Sequence, residues 1–312
     1  MKKAFITGAG GFIGSHLVEL LLSSTNWHLT LFDTYLANSR YKKNSRITLI
    51  TADLCQSDVL AQALIKPYDY VFHMAALPGG SAEQNPQLSR KINLDASLYL
   101  FDLLAQHGHC PRLVYSSTIA VLGAPMPEQV DDLSPIVPAM IYGTHKAMIE
   151  LALADYHRRG KLDVVSIRLP GILARPMTSN GLKSAFLSHA FHLLSAGKHF
   201  TSPVSPQATM WLMSVQQCAH NLLRAAQLDS HLMPVNRVVT LPALRVLMVD
   251  FLHEIVSQTQ QHQSLLSWQP DAQLEALFGQ QPPLTTTAAD KAGFKHDGVL
   301  QTLVARALSI CT

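Results

Sequence analysis

Charge is scarce in this sequence. Asp, Glu, Lys and Arg make up 14% of 312 residues, and 24 basic against 21 acidic side chains leave a net +3. Ordinary soluble domains carry about 25% charged residues. A disordered chain needs the reverse of what is found, because the hydrophobic share here is 48%. A nucleic-acid surface needs a dense basic cluster, and no such run is present, so no nucleic-acid partner is expected. Low charge also points to surface covered by a partner subunit. Cysteine is equally sparse. Cys55, Cys110, Cys218 and Cys311 stand far apart with no C-x-x-C, which argues against a disulfide framework or zinc site and fits reduced thiols in the cytoplasm. Long apolar runs are missing too. None reaches the ~18 residues of a membrane helix, and the stretch after Lys2-Lys3 meets a glycine at Gly8, too early for a leader peptide. The fifteen histidines form no H-E-x-x-H, so no metal is expected; His189 and His192, on a helical stretch, read as surface side chains.

What is present is alternation. Short β-type runs at Lys3–Thr7, 29–33, 47–52, 70–73, 113–116 and 164–169 alternate with helical patterns at 12–23, 57–65, 93–107 and 142–159. That order predicts right-handed crossovers and a doubly wound parallel α/β sheet of Rossmann type. Residues 1–170 read as the cofactor-binding domain. Residues 171–312 read as a smaller, partly discontinuous substrate-binding region. In it a helix near 216–227 packs back on the sheet, a strand follows at 237–241, and helices cover 244–260, 273–277 and 298–308.

Thr7-Gly8-Ala9-Gly10-Gly11-Phe12-Ile13-Gly14 joins the first strand to the first helix. Gly8, Gly11 and Gly14 have the G-x-x-G-x-x-G spacing of a dinucleotide site. The first permits a tight turn, the second lets the pyrophosphate approach, and the third lets helix and strand pack closely. Phe12 and Ile13 open the helix, whose N-terminal N–H groups suit phosphate. Asp33 ends the second strand 19 positions after Gly14. An acidic group there accepts hydrogen bonds from a ribose 2′-hydroxyl and repels a 2′-phosphate, which favours NAD over NADP; a turn cap is the competing reading.

Tyr142 and Lys146 lie four residues apart, on one face of a predicted helix. An ammonium beside a phenol stabilises phenolate, which can take a proton from a substrate hydroxyl while hydride leaves the same carbon. Ser116-Ser117-Thr118 closes a strand, where a hydroxyl reaches the crevice that binds ligands; any one of the three could equally cap a turn.

With these motifs the chain resembles the extended short-chain dehydrogenase/reductase, or NAD-dependent epimerase/dehydratase, family over nearly its whole length. Ala52-Asp53-Leu54, His73-Met74-Ala75-Ala76, Asn93 and Arg168-Leu169-Pro170 also match. The resemblance implies that Asp53 and Leu54 flank the adenine and that Ala75, Ala76, Asn93 and Ser116 belong to the cofactor site. It places Leu169 and Pro170 beside the nicotinamide. It implies Tyr142 as acid/base with Lys146 assisting, and Thr118 as the catalytic hydroxyl, with Ser117 the alternative. Stretches such as Val130-Asp131-Asp132, Arg175-Pro176 and Met210–Ser214 are similar to members that oxidise D-erythronate, a four-carbon sugar acid, at its C2 hydroxyl. Leu122, where an aromatic is common, and the glutamine-rich tail depart from the pattern.

A small acid needs a cation and hydrogen-bonding groups. Arg175 is the first candidate for its carboxylate, against a surface salt bridge. Ser81 in the Gly79-Gly80-Ser81 loop and Asn180 are polar candidates, against plain turns. Trp211 either walls the pocket or fills the core. Nucleotide-sugar members of the family commonly carry an arginine where this chain has Thr209. A nucleotide-sugar epimerase or dehydratase is therefore the second reading, and a non-catalytic NAD-sensing regulator the third. The family also implies a homodimer through 93–107 and 142–159.

Overall fold

The strands read as continuous apolar runs because both faces of the sheet are covered: in Lys3–Thr7 every residue after Lys3 is buried. The computed structural model describes residues 1–36, 39–177 and 185–311. Its strands are Lys3–Thr7 (β1), His28–Asp33 (β2), Ile47–Thr51 (β3), Tyr70–His73 (β4), Arg112–Thr118 (β5), Asp163–Leu169 (β6), Gly171–Leu173 (β7), Phe200–Ser202 (β8), Thr209–Ser214 (β9), Val238–Thr240 (β10), Leu244–Leu247 (β11) and Leu266–Trp268 (β12). Its α-helices are Phe12–Ser24 (α1), Ser39–Lys42 (α2), Ser57–Ala63 (α3), Gly79–Gln84 (α4), Pro86–Ser89 (α5), Ala96–Gln106 (α6), Ile141–Arg158 (α7), Phe186–Ser195 (α8), Val215–Gln227 (α9), Met248–Gln258 (α10), Ala272–Phe278 (α11), Thr287–Lys291 (α12) and Leu300–Leu308 (α13).

Seven strands form one parallel sheet in the order β10-β6-β5-β4-β1-β2-β3, a doubly wound Rossmann arrangement. The order reverses between β1 and β4, and the crevice outside their carboxyl ends is where such sheets bind ligands. Alternate residues fill opposite cores. Ala4 and Ile6 meet Leu17, Leu21 and Leu222 of α1 and α9, whereas Phe5 meets Leu100, Phe101 and Leu153 of α6 and α7. α9 thus returns from the second half to cover the first. β10 also returns, pairing with β6 as the sheet's edge.

The rest of the second half builds a three-stranded sheet, β11-β9-β7, and the pair β12-β8. A separate core of Phe186, Phe191, Phe251, Ile255 and Leu303 supports it. Only Pro170 separates β6 from β7, so this unit stands directly over the carboxyl edge of β6. Among the described residues no helix is long and apolar enough to cross a membrane.

Two elements differ from the sequence expectation. Gly79-Gly80-Ser81 is no loop; it opens α4, which is held against α7 where the Glu83 carboxylate accepts the Ile141 N–H at 2.6 Å. The helix expected over 244–260 starts only at Met248. Leu244–Leu247 instead pairs antiparallel with β9, because the apolar pattern of those residues suits either element and the neighbouring strand decides.

Gly14 shows why the first turn needs glycine. A Cβ there would lie 2.0 Å from the Gly8 carbonyl oxygen and 2.9 Å from Ala9 Cα, all rigid backbone. Gly14→Ala is expected to cost about 1–3 kcal/mol, as overpacking does, and to lower the denaturant midpoint of the whole domain. A midpoint equal to the parent's would contradict this packing.

Candidate functional site

One cavity of about 890 Å³ runs from Gly8–His16 along the carboxyl edge of the sheet to Met210–Leu212. Its lining includes Gly8, Gly11, Phe12, Ile13, Gly14, Ala76, Ser116, Ser117, Thr118, Tyr142, Leu169, Pro170, Arg175 and Trp211. The charge of that lining is lopsided. Among the described residues it holds one guanidinium, Arg175, and three imidazoles, His16, His189 and His192, with no Asp, Glu or Lys.

At the glycine turn, α1 starts with no side-chain cap and no acidic residue in its first turn. Its free N–H groups and positive dipole end therefore suit a diphosphate. The Asp33 carboxylate accepts the Gly10 N–H at 2.9 Å and the Tyr35 N–H at 3.2 Å, so it also shapes the turn. Gly10 is the residue that the G-x-x-G-x-x-G spacing passes over. Asp53 accepts the Cys55 N–H at 2.8 Å, and Leu54 is buried under the sheet. Asn93 is spent on structure: its amide bonds both the N–H and C=O of Leu77, at 2.7 and 3.0 Å, and Ser89 Oγ at 3.2 Å. It fixes the segment that follows Ala75 and Ala76.

The three strand-end hydroxyls have different partners. Ser116 Oγ donates to the His73 carbonyl at 3.1 Å. Ser117 Oγ donates to Glu150 Oε1 at 2.5 Å, inside a buried ion pair in which Arg168 Nε and Nη2 bind the two Glu150 oxygens at 3.0 and 2.8 Å. That commits Ser117 and weighs against it as the reacting hydroxyl. Thr118 Oγ1 accepts the Ala120 N–H at 3.1 Å and keeps its own proton to donate into the cavity. Tyr142 comes close to this strand end because Gly143 lets α7 touch the following turn; a Cβ there would lie 2.4 Å from the Ala120 carbonyl oxygen.

Lys146 is 2% exposed. Its ammonium donates to the Ser116 carbonyl at 2.6 Å and stands 4.5 Å over the Tyr115 ring and 5.7 Å from the Tyr142 ring centre. Burial brings its pKa down to about 7, with Glu150 opposing. Burial also pushes the Tyr142 phenol up, and the cation that opposes this is Arg175. The sequence reading put Lys146 in that part. Burial lowers Arg175 in turn, against Tyr142 and Cys218. Among the described residues Arg175 enters no ion pair, and its guanidinium carbon lies 5.7 Å from the Phe12 ring centre. The surface salt bridge that competed for Arg175 is therefore not found.

Trp211 is fully buried, and its ring N–H donates to the Pro282 carbonyl at 2.8 Å; it packs in a core cluster and also borders the cavity. Ser81 is not in the lining, although Gly79 and Gly80 are. Asn180 falls outside the described residues. Sequence reasoning missed Glu150, His189 and His192 as parts of this region. Glu150 had a signal, since Tyr142, Lys146 and Glu150 repeat every four residues along one helix face.

The buried ammonium has a measurable consequence. An unfolded lysine keeps its proton to 10.5, the folded one only to about 7. Between these values unfolding takes up a proton, so stability rises with pH across the window, and below 7 the full penalty applies. That penalty is on the order of 5 kcal/mol, less ~1 kcal/mol for the Ser116 hydrogen bond. Lys146→Met is expected to melt higher than the parent at pH 6, with the gain shrinking toward pH 10. A lower melting temperature at pH 6 would contradict the assignment.

Comparison with known proteins agrees with this geometry. The family model for the NAD dependent epimerase/dehydratase family matches residues 4–230. The chain is 32% identical to D-erythronate dehydrogenase of Cupriavidus necator over 95% of this chain and 94% of that one. It is 29% identical to D-erythronate dehydrogenase of Haemophilus influenzae over 97% of each. Among solved structures, a nucleoside-diphosphate-sugar epimerase from Agrobacterium tumefaciens superposes with a TM-score of 0.86 at 27% identity, covering 97% of this chain and 92% of the other. The chain belongs to the NAD dependent epimerase/dehydratase family, among the extended short-chain dehydrogenases/reductases, and is an NAD-dependent enzyme of the dehydrogenase/epimerase type.

Proposed function

We propose that the protein oxidises the C2 hydroxyl of a small sugar acid, D-erythronate first among candidates, to the 2-keto acid. The observation that carries this reading is the cavity's lining: among the described residues, one guanidinium without an ion-pair partner, three imidazoles and no carboxylate. Such a lining favours anions, and after a diphosphate is accommodated at α1 the remaining anion is the substrate's carboxylate. The two D-erythronate dehydrogenase relatives support the same substrate. Against a nucleotide sugar, Thr209 is 8% exposed and donates to the Gln281 carbonyl at 2.8 Å, so it offers no cation to a second diphosphate.

Roles follow for the chain's own groups. The α1 terminus with Phe12 and Ile13 holds the diphosphate, Asp33 the adenosine ribose, Asp53 and Leu54 the adenine, and Leu169 and Pro170 border the nicotinamide. Bound NAD supplies the hydride acceptor. Thr118 donates a hydrogen bond to the C2 oxygen and orients it toward Tyr142. Tyr142 takes the hydroxyl proton, and Arg175 binds the carboxylate while favouring the phenolate electrostatically. Lys146 orients the nicotinamide-side ribose.

The test mixes enzyme with NAD and a panel of four-carbon acids, erythritol and UDP-sugars, and follows NADH absorbance. NADH is expected with D-erythronate and not with erythritol. Tyr142→Phe is expected to lower turnover by about 10²–10⁴-fold. Isomerised UDP-sugar without net NADH would overturn the reading in favour of an epimerase.

A further inference from the structure

Two imidazoles on α8 have no part in the roles above. This helix buries Phe186, Leu187, Ala190, Phe191 and Leu194 in the second core. His189 and His192, three residues apart, share the opposite, half-buried side, and both line the cavity. The helix also grips Arg175. β7 ends at Leu173, so the Arg175 peptide has no strand partner. Two α8 side chains supply its hydrogen bonds instead. Buried Ser188 Oγ accepts the Arg175 N–H at 2.9 Å, and His192 Nε2 bonds the Arg175 carbonyl at 2.8 Å. A carbonyl oxygen only accepts, so Nε2 carries the proton and His192 is the donor. Arg175 is therefore aimed by a helix and not by the loop it sits on.

His189 lies one turn before His192, on the same half-buried side that lines the cavity. Among the described residues it has no hydrogen-bond partner. An imidazole without a partner, lining the same cavity as a guanidinium without a carboxylate, can serve as a second donor toward the same anion.

We propose that α8 is the acid-recognition element of this enzyme: His192, with Ser188, is a positioning residue that aims Arg175, and His189 is a second group contacting the substrate carboxylate. This rests on the reading that the substrate is an acid, and it adds that acid recognition is a two-point contact. A carboxylate with two oxygens can accept from Arg175 and His189 together, whereas an alcohol or lactone of the same size cannot satisfy both. The competing anion is the cofactor's diphosphate, because Arg175 also stands near Phe12 at the start of α1.

The test is calorimetric titration of the enzyme–NADH complex with D-erythronate, oxalate and erythritol, alongside NADH titration of the free enzyme. The parent is expected to bind both acids and not erythritol. His189→Ala and His192→Ala are each expected to weaken acid binding by about tenfold or more, as loss of a hydrogen bond to a charged group does, while NADH affinity stays within twofold. His192→Gln, whose amide can still donate to the Arg175 carbonyl, is expected to recover most of the loss. It also serves as the folded control should His192→Ala melt early.

Acid affinity unchanged in both alanine variants, while Arg175→Met abolishes it, overturns the role of α8 and leaves the acid-substrate reading standing. NADH affinity falling in step with acid affinity assigns these residues to the diphosphate and also overturns it. A parent that binds acids no better than erythritol removes the acid-substrate reading and this inference together.

Discussion

The buried ammonium of Lys146 is the interaction on which the rest of the site depends. Taking a charge out of water costs several kcal/mol, so it survives only among compensating groups. Here they are the Ser116 carbonyl at 2.6 Å, the Tyr115 ring at 4.5 Å and Glu150 one turn along α7. Glu150 is a buried charge itself and needs Arg168 and Ser117. The chain of compensation therefore runs from α7 through β5 to β6 and locks three elements in register. Tyr142, at the start of the same helix, inherits that register, as does Thr118 at the end of β5.

The second half of the chain supplies what a Rossmann sheet lacks. The carboxyl edge offers a helix terminus for phosphate and hydroxyls at strand ends, while the one guanidinium among the described lining residues comes from beyond it. β7 leaves β6 through one proline and carries Arg175 over that edge. α8, packed into a different core from the sheet's, holds the arginine backbone at both its N–H and its C=O. The second half thus has a hydrophobic core of its own, while Ile172 of β7 and Met213 of β9 also pack into the sheet's core with Ile6 and Leu17.

Much of this was legible in the sequence. Parallel strands buried on both faces must be apolar throughout, so β1, β4, β5 and β6 were visible as runs. The glycine turn and the Tyr142/Lys146 pair are local patterns whose meaning depends on spacing alone. Contacts made across the chain were not legible. Ser117 and Thr118 are adjacent hydroxyls in one strand, and only the fold shows that Glu150 takes one of them. His192 meets Arg175 across 17 residues, and nothing in either neighbourhood announces it. The α4 turn begins with two glycines, poor helix formers, and is held by a carboxylate contact with α7. Arg175 was visible as a cation near Pro170, but its freedom from any ion pair among the described residues was not. The sparse charge that marks the sequence has a partial counterpart in Tyr99, Met148 and Leu151, apolar side chains left exposed on α6 and α7.

The most direct measurement of the central claim, that this cavity pairs an acid's carboxylate with Arg175 while presenting its C2 hydroxyl to Tyr142, is a crystal structure of the protein with NADH and D-erythronate. The carboxylate is expected within hydrogen-bond distance of the Arg175 guanidinium, and the C2 oxygen between Thr118 Oγ1 and Tyr142 Oη. A structure in which Arg175 instead binds the cofactor's diphosphate, with the acid's carboxylate held elsewhere, would contradict it.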